Sequence, residues 1–88
     1  MKSPLFLRRV VGHSMSPTLS EGQIVAVSGL MKPRTGDLVI AKVDGLEVVK
    51  RVTAHKTDKF TLASDAPGHG VYALVSESDI SGRVIDTI

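Results

Sequence analysis

The sequence predicts a mainly β fold, a small antiparallel sheet that folds over on itself or closes into a barrel. Turn signals recur at short intervals, short runs rich in β-branched residues lie between them, and helical periodicity is weak throughout. Short strands with frequent turns are typical of barrels and folded-over sheets. With 88 residues there is room for one core, so we expect a single domain over residues 1–88.

Six segments are predicted as strands, each bounded by turn residues. They are Phe6–Val11, Gln23–Val27, Asp37–Val43, Glu47–Ala54, Phe60–Ala63 and Arg83–Ile88. Asp44-Gly45 is the clearest connection, because Asp-Gly is favoured in two-residue hairpin turns. Ser16–Leu19 is expected to form one helical turn, with Ser16 as N-cap and Pro17 at the first helical position. The other predicted turns are Glu21-Gly22, Ser28-Gly29, Thr35–Asp37, Lys56–Asp58, Pro67–Gly70 and Ser81-Gly82.

The composition excludes several classes of function. There is no cysteine, which rules out disulfides, thiolate metal sites and a cysteine nucleophile. The net charge is +2, the basic residues are scattered, and aromatic residues make up only 3% of the chain. A nucleic-acid-binding domain is expected to carry a clustered basic stripe and aromatic side chains that stack on bases, so we expect no nucleic-acid partner for this domain.

No segment of the sequence has the length of a targeting or membrane-spanning segment. The apolar run Leu5–Leu7 is much shorter than the ~7–15 apolar residues of a signal peptide. Nothing approaches the ~20 apolar residues of a membrane span. We therefore expect a soluble, cytoplasmic protein, unless an anchor precedes this sequence in the natural chain.

Lys50 lies within a valine-rich predicted strand, at an unusual position for a lysine. Since successive side chains of a strand point to opposite faces, Lys50 shares a face with Val48 and Val52, whereas Glu47 and Arg51 share the other. If Lys50 is buried there, desolvation lowers its pKa, and shifts of ~3–5 units are known for buried groups. The alternative is a lysine that extends its ammonium to water at the rim of the sheet.

Ser14 supplies a partner for a neutral lysine. It lies in Gly12–Leu19, where Gly12 gives the backbone conformational freedom. A serine hydroxyl is a poor nucleophile near neutral pH and needs a base, and a lysine can be that base only when it is neutral. The two segments together predict a hydrolase with Ser14 as the nucleophile and Lys50 as the general base.

Three ordered motifs resemble those of the Ser-Lys peptidases of the signal peptidase I and LexA-type repressor superfamily. They are Ser14–Leu19, Gly36–Val39 and Val49–Val52, and 36 positions separate Ser14 from Lys50, which is similar to the compact members. The resemblance covers about residues 8–85. It implies the LexA/signal-peptidase type of β fold, the same catalytic pair, no cofactor, and Met15 packed beneath the site.

The sequence departs from the larger leader peptidases at three places. Gly12 stands where those enzymes carry a hydroxyl that helps to hold the oxyanion, so an oxyanion hole here would consist of the backbone N–H groups of Ser14 and His13. Ser64–Ala66 resembles their Gly-Asp-Asn motif. The serine that supports their lysine falls near Gly70, which implies that Lys50 lacks that hydrogen bond.

The residues that lead into Ser14 are predicted to bind the substrate. Val10, Val11 and Gly12 would form a docking edge, with Met15 completing the site. An extended peptide would bind there by strand addition, in which backbone hydrogen bonds give affinity and alternate side chains give selectivity. The resemblance to signal peptidases implies a small residue such as alanine just before the scissile bond.

A histidine-based site is the alternative constellation. A Ser14–His69–Asp65 triad is conceivable, since triads are defined by geometry rather than by order in the chain. His13 is adjacent to Ser14, and neighbouring strand side chains diverge. The spacing of His13, His55 and His69 matches no metal-ligand pattern, so no metal site is predicted.

Three functions fit these residues: an endopeptidase that cleaves a protein precursor or leader peptide in trans, a self-cleaving switch domain as in LexA-type repressors, and a catalytically silent interaction module. Self-cleavage is disfavoured, because the chain contains no helix-turn-helix pattern and no Ala-Gly or Cys-Gly bond. The presence of both Ser14 and Lys50 argues against a silent module. The short length also resembles maturation proteases that trim the leader of a metalloenzyme precursor, such as nickel superoxide dismutase.

Overall fold

A computed structural model describes residues 3–88 and shows one antiparallel sheet of seven strands. A 3-10 turn, Glu77–Asp79, precedes the last strand. The sheet order is β1-β2-β7-β3-β4-β5-β6 and the sheet curls into a half-barrel, which confirms the predicted mainly β, folded-over architecture. The strands are β1 Phe6–Arg9, β2 Ile24–Ser28, β3 Leu38–Val43, β4 Leu46–Lys56, β5 Lys59–Ala63, β6 Val71–Ser76 and β7 Ile80–Thr87.

The central strands bury both of their faces. Val39 and Ala41 of β3 belong to one apolar cluster, and Ile40 between them belongs to a second. Because neighbouring side chains point to opposite faces, the two clusters lie on opposite sides of β3. We call them cluster A, formed by Val39, Ala41, Val52, Phe60, Leu62, Val75 and Ile80, and cluster B, formed by Val10, Met15, Leu19, Val25, Val27 and Ile40.

The hairpin between β3 and β4 forms as predicted. Asp44 and Gly45 have φ angles of 52° and 79°, the positive values that a two-residue hairpin turn requires at both central positions. Val43 pairs with Leu46, and the register continues to Val39 opposite Lys50. The turn chemistry therefore places Lys50 in the middle of the β3–β4 ladder.

Two predicted local features are wrong, and one strand is absent from the prediction. Residues 12–19 form consecutive turns and bends rather than a helical turn: the Ser16 N–H donates to His13 O at 3.0 Å, the Leu19 N–H donates to Met15 O at 2.9 Å, and the Ser16–Pro17 peptide is cis. Strand β6 is not among the predicted strands, because its apolar run lacks the apolar–polar alternation of a half-buried strand.

The predicted turn at Ser81-Gly82 is the second error, since both residues lie inside β7. Gly82 pairs with Ile40, and a Cβ atom at Gly82 would lie 2.6 Å from Ser28 O and 2.7 Å from Val27 Cγ1. Glycine in a strand interior often marks a close backbone approach. Here it lets β2 and β7 approach each other where the sheet curls.

Within residues 3–88 no helix is long and apolar enough to cross a membrane.

We expect Gly82→Ala to lower the free energy of unfolding by about 1–3 kcal/mol, the usual cost of forcing extra volume into a well-packed site. The added methyl meets backbone atoms of β2, which cannot rotate away. Urea denaturation of the variant measures the loss, with Ser81→Ala at the neighbouring position as control. Equal unfolding midpoints for Gly82→Ala and the wild type would show that β2 and β7 tolerate a side chain there.

Candidate active site

Ser14 lies in the loop that joins β1 to β2. Residues on both sides of it, Val10, Met15 and Leu19, are buried in cluster B and anchor the loop to the sheet. Gly12 has a φ of +83°, a backbone conformation that favours glycine and that turns the chain out of β1 before Ser14. The loop is thus held from below by apolar contacts, while Ser14 remains partly accessible.

Two sets of backbone hydrogen bonds fix the position of this loop. Where the loop leaves β1, the Val10 N–H donates to Gln23 O and the Gly22 N–H donates to Val10 O, each at 2.8 Å. At Ser14 itself, the carbonyl oxygen accepts a hydrogen bond of 2.9 Å from the Ala66 N–H. Ser14 is therefore tied to the loop of residues 64–70, which connects β5 to β6.

Lys50 reaches Ser14 from the middle of β4. Its side chain is 4% exposed, as expected from the face it shares with Val52, and its Nζ lies 2.7 Å from Ser14 Oγ. Burial lowers the pKa of Lys50 because it removes water from the charged form. Within residues 3–88 no carboxylate forms an ion pair with Lys50 that would oppose this effect.

This arrangement can move a proton between the two side chains. An ammonium at 2.7 Å donates to the hydroxyl oxygen, whereas a neutral amine accepts the hydroxyl proton at the same distance. The lowered pKa favours the neutral amine. Ser14 and Lys50, identified separately from the sequence, are brought together by the fold.

The aromatic ring of Tyr72 also contacts the amine, a neighbour that the sequence reasoning missed. The ring centroid lies 4.5 Å from Lys50 Nζ. Tyr72 is only two positions from Gly70, where the resemblance places the missing serine hydroxyl. An aromatic face therefore lies near the amine in the region expected for that hydroxyl.

Arg51 and Asp65 form a two-pronged ion pair beside the site. Arg51 Nε and Nη2 donate to the two carboxylate oxygens of Asp65 at 3.1 and 2.6 Å, and Arg51 Nη1 donates to Gly36 O at 2.8 Å. The hydrogen bond with Arg51 lowers the pKa of Asp65, and the same bond raises the pKa of Arg51. Asp65 precedes Ala66, so this pair holds the loop that is bonded to Ser14.

The alternative triad is not assembled. Asp65 is bound to Arg51 and, more weakly, to Thr18, and in residues 3–88 no contact joins its carboxylate to His69. His69 is exposed, and its backbone N–H donates to Ala66 O at 3.3 Å. The Ser14–His69–Asp65 constellation therefore lacks the hydrogen bond that would orient its histidine.

The predicted oxyanion-hole groups are the backbone N–H groups of Ser14 and His13. The side chain of His13 is exposed and lies 3.3 Å from Glu21 Oε1, and the Gly12 N–H donates to Glu21 Oε2 at 3.2 Å. No acceptor within residues 3–88 takes the backbone N–H of His13 or Ser14.

A cavity of about 240 Å³ opens beside Ser14 and Lys50. Of the predicted substrate-binding residues, Val10 and Val11 line it, whereas Met15 is 1% exposed and lies in the core below. Met15 therefore lies beneath the cavity and outside its lining, so its predicted contact with a substrate stays a prediction. The cavity is lined by Arg8, Arg9, Val10, Val11, Ser14, Val25, Ile40, Leu46, Glu47, Val48, Val49 and Lys50.

Two strand edges without a neighbour form the rims of this cavity. One is β1, which pairs only with β2. The other is the first half of β4, because β5 pairs with β4 only from Arg51 onward. Arg8 of β1 and Glu47 of β4 form an ion pair that bridges the two rims.

Comparison with known proteins agrees with this geometry. Residues 1–85 match the family model described as Peptidase S24-like. The protein named Protein ImpA in Salmonella typhimurium, Shigella flexneri and Escherichia coli is 35% identical to this chain over 63 residues. The matched segment covers 70% of this chain and 43% of each relative, so this chain spans less than half the length of the curated relatives it matches. The family model matches nearly the whole chain, and the chain folds into a curled β-sheet in which a loop serine meets a buried lysine. This protein therefore belongs to the Peptidase S24-like family.

Proposed function

We propose that this protein is a serine endopeptidase that cleaves a protein precursor or leader peptide in trans, with Ser14 as nucleophile and Lys50 as general base. The observation that carries the proposal is the 2.7 Å separation of Ser14 Oγ and Lys50 Nζ, at a buried lysine that has no carboxylate partner within residues 3–88. Family membership supports the reaction class.

The reaction follows from the chemistry of the two groups. Neutral Lys50 takes the proton of Ser14 as Oγ attacks the scissile carbonyl carbon. The oxygen that becomes negative accepts hydrogen bonds from the backbone N–H groups of Ser14 and His13. Lys50, now protonated, donates its proton to the leaving amine, and water then hydrolyses the acyl-enzyme with Lys50 again acting as the base.

The substrate is an extended peptide that lies between the two strand rims. In the β3–β4 hairpin, Leu46 is bonded to Val43, so the alternate residues Glu47 and Val49 direct their backbone groups away from β3. Just after β1, Val10 is bonded toward β2 through Gln23 and Gly22, so its neighbours Arg9 and Val11 direct their backbone groups outward. A peptide strand between the rims can therefore form backbone hydrogen bonds with both, which is the strand-addition mode of recognition.

We expect Ser14→Ala and Lys50→Ala each to lower kcat/KM for a cleaved peptide by at least about 10³-fold, because the pair acts as a unit. Lys50→Arg fails as well, since a guanidinium does not deprotonate at accessible pH. A fluorophosphonate reagent should label Ser14 in the wild type and nothing in Ser14→Ala, as read by mass spectrometry of the intact protein.

Ser20→Ala and Lys42→Ala are matched controls, since both residues are exposed and lie outside the cavity. Their kcat/KM is expected to equal that of the wild type. Full activity in Lys50→Ala would refute the pair, and absence of labelling with no peptide cleaved would favour the silent interaction module.

The pH dependence of activity follows from the lowered pKa of Lys50. Only the neutral amine is a base, so kcat/KM rises with pH through the pKa of Lys50, with a midpoint below the ordinary value of 10.5. A stopped assay between pH 5 and 10.5 measures this profile. A rise centred on the ordinary lysine value would contradict burial as the source of the base.

The same lowered pKa makes a separate prediction about stability. Between the pKa in the folded protein and 10.5 the unfolded chain binds the extra proton, so the free energy of unfolding rises with pH across that interval. Lys50→Met removes the buried amine at similar volume, and the variant should be more stable than the wild type at pH 7. Its advantage narrows as the pH rises. Urea denaturation at pH 7 and pH 10 tests this, and a variant less stable than the wild type at both would contradict it.

Asp65→Asn should lower kcat while leaving the pH midpoint of kcat/KM unchanged, because Asp65 holds the Ser14-bonded loop and does not contact Lys50.

The same substitution should lower the free energy of unfolding by about 1–2 kcal/mol. This is toward the low end for a charged hydrogen bond, since solvent reaches both groups. The pKa of Asp65 is lowered on folding, so this contribution is present above the ordinary value of 3.8 and is lost as the pH falls below it.

Asp58→Asn in the exposed turn between β4 and β5 is the control, and we expect it to change neither kcat nor stability. A shift of the pH midpoint in Asp65→Asn would show instead that Asp65 acts on the base.

A further inference from the structure

Tyr72 occupies an irregular position in the sheet. In the β5–β6 ladder Leu62 pairs with Ala73 but Ala63 pairs with Val71, so Tyr72 is an extra residue without a partner on β5. An extra residue of this kind is a β-bulge, which bends the strand and changes the direction of a side chain. Bulges are over-represented beside active sites for this reason.

The bulge brings the Tyr72 ring to the buried amine. Ala73 and Val75 pack on cluster A, and regular alternation would place Tyr72 on the opposite face of β6. The ring centroid instead lies 4.5 Å from Lys50 Nζ. Tyr72 keeps 43% of its surface exposed while Lys50 keeps 4%, so the ring lies on the solvent side of the amine.

We propose that Tyr72 is the positioning residue for Lys50: its ring covers the amine against water and holds Nζ at Ser14 Oγ. The inference rests on the proposed function in that Lys50 is the general base. In the leader peptidases a serine hydroxyl supports the lysine, and Gly70, which falls near that position here, has no side chain. The aromatic face of Tyr72 takes this supporting role instead.

Two effects of the ring oppose each other. The negative face of the ring attracts the ammonium and favours the charged form, whereas the exclusion of water favours the neutral form. Burial lowers the pKa of Lys50 and the ring lies 4.5 Å from Nζ, so we expect the exclusion of water to be the stronger effect of the ring. Variants that remove one effect at a time can therefore separate the two.

Charged groups on the surrounding elements are engaged with one another. The residue opposite Lys50 on β3 is the uncharged Val39, and His69 of the 64–70 loop is exposed. Other charged groups on these elements form the ion pairs Arg51–Asp65, Arg8–Glu47, His13–Glu21 and Arg83–Asp37, and Arg9 Nη1 donates to Gly22 O. The contacts of the Lys50 amine are thus the Ser14 hydroxyl and the Tyr72 ring.

The test is a series of Tyr72 variants followed by two measurements. Tyr72→Phe retains the ring, Tyr72→Leu retains apolar cover without the aromatic face, and Tyr72→Ala removes both. The first measurement is the pH profile of kcat and kcat/KM for a cleaved peptide. The second is the titration of Lys50 by NMR of the full chain labelled at the lysine Cε, with the resonance assigned from Lys50→Arg, and it does not require activity.

We expect Tyr72→Ala to raise the pKa of Lys50 by about one unit and to lower kcat/KM about tenfold at pH 7, since each unit reduces the neutral fraction tenfold. The loss should shrink at high pH, where the amine is neutral in both proteins. Tyr72→Leu should leave the pKa of Lys50 at or slightly below the wild-type value. Tyr72→Phe should match the wild type, because it retains the ring.

Leu74→Ala is the matched control, because Leu74 is an exposed apolar residue on the same strand without a contact to Lys50. It should alter neither measurement. A loss of activity in Tyr72→Ala that is equal at every pH, with an unchanged Lys50 titration, would overturn the proposal, and an unchanged titration in all three Tyr72 variants would do the same. If the Lys50 titration moves as expected but the wild type cleaves no peptide and Ser14 is not labelled, the proposed function fails while the role of Tyr72 as the cover of Lys50 stands.

Discussion

The removal of water from one ammonium group is the constraint around which this small protein is organised. Lys50 is buried in a strand centre, and its nearest polar partner is a serine hydroxyl rather than a carboxylate. A carboxylate would stabilise the charged form and restore an ordinary or raised pKa, whereas a hydroxyl tolerates either protonation state. A lysine in such surroundings costs stability, because the loss of water penalises its charged form.

The double-sided packing of the central strands makes this burial possible in a chain with few aromatic residues. Cluster A and cluster B lie on opposite faces of β3, so β4 and β7 beside it are also covered on both sides. Lys50 points to the face of cluster A, while the loop that carries Ser14 is anchored in cluster B. The two side chains therefore meet at the boundary between the clusters, where both line the cavity.

Ionic contacts in this protein hold the surroundings of the site, and they leave the amine itself without a counter-ion. Arg51, adjacent to Lys50 but on the other face, binds Asp65, and the next residue, Ala66, is bonded to the Ser14 carbonyl. Strand alternation thus places two neighbouring basic residues on opposite faces: Arg51 holds the loop through Asp65, and Lys50 lies beside the Ser14 hydroxyl. Arg8 and Glu47 similarly join the rims of the cavity without contacting the amine.

The sequence by itself determined the features that depend on local periodicity and turn chemistry. Alternation along Val48–Val52 predicted the buried face of Lys50, Asp44-Gly45 predicted the hairpin that places it, and the requirement of a serine for a base predicted its partner. Only the tertiary structure decided the position of Tyr72, the Arg51–Asp65 pair, the bond from Ala66 to Ser14, and the need for glycine at position 82. These features arise from contacts between segments distant in the chain and from shifts of register such as the bulge in β6. An alternating pattern fixes which way a side chain points within its own strand, but it carries no information about which residue of another strand or loop will face it.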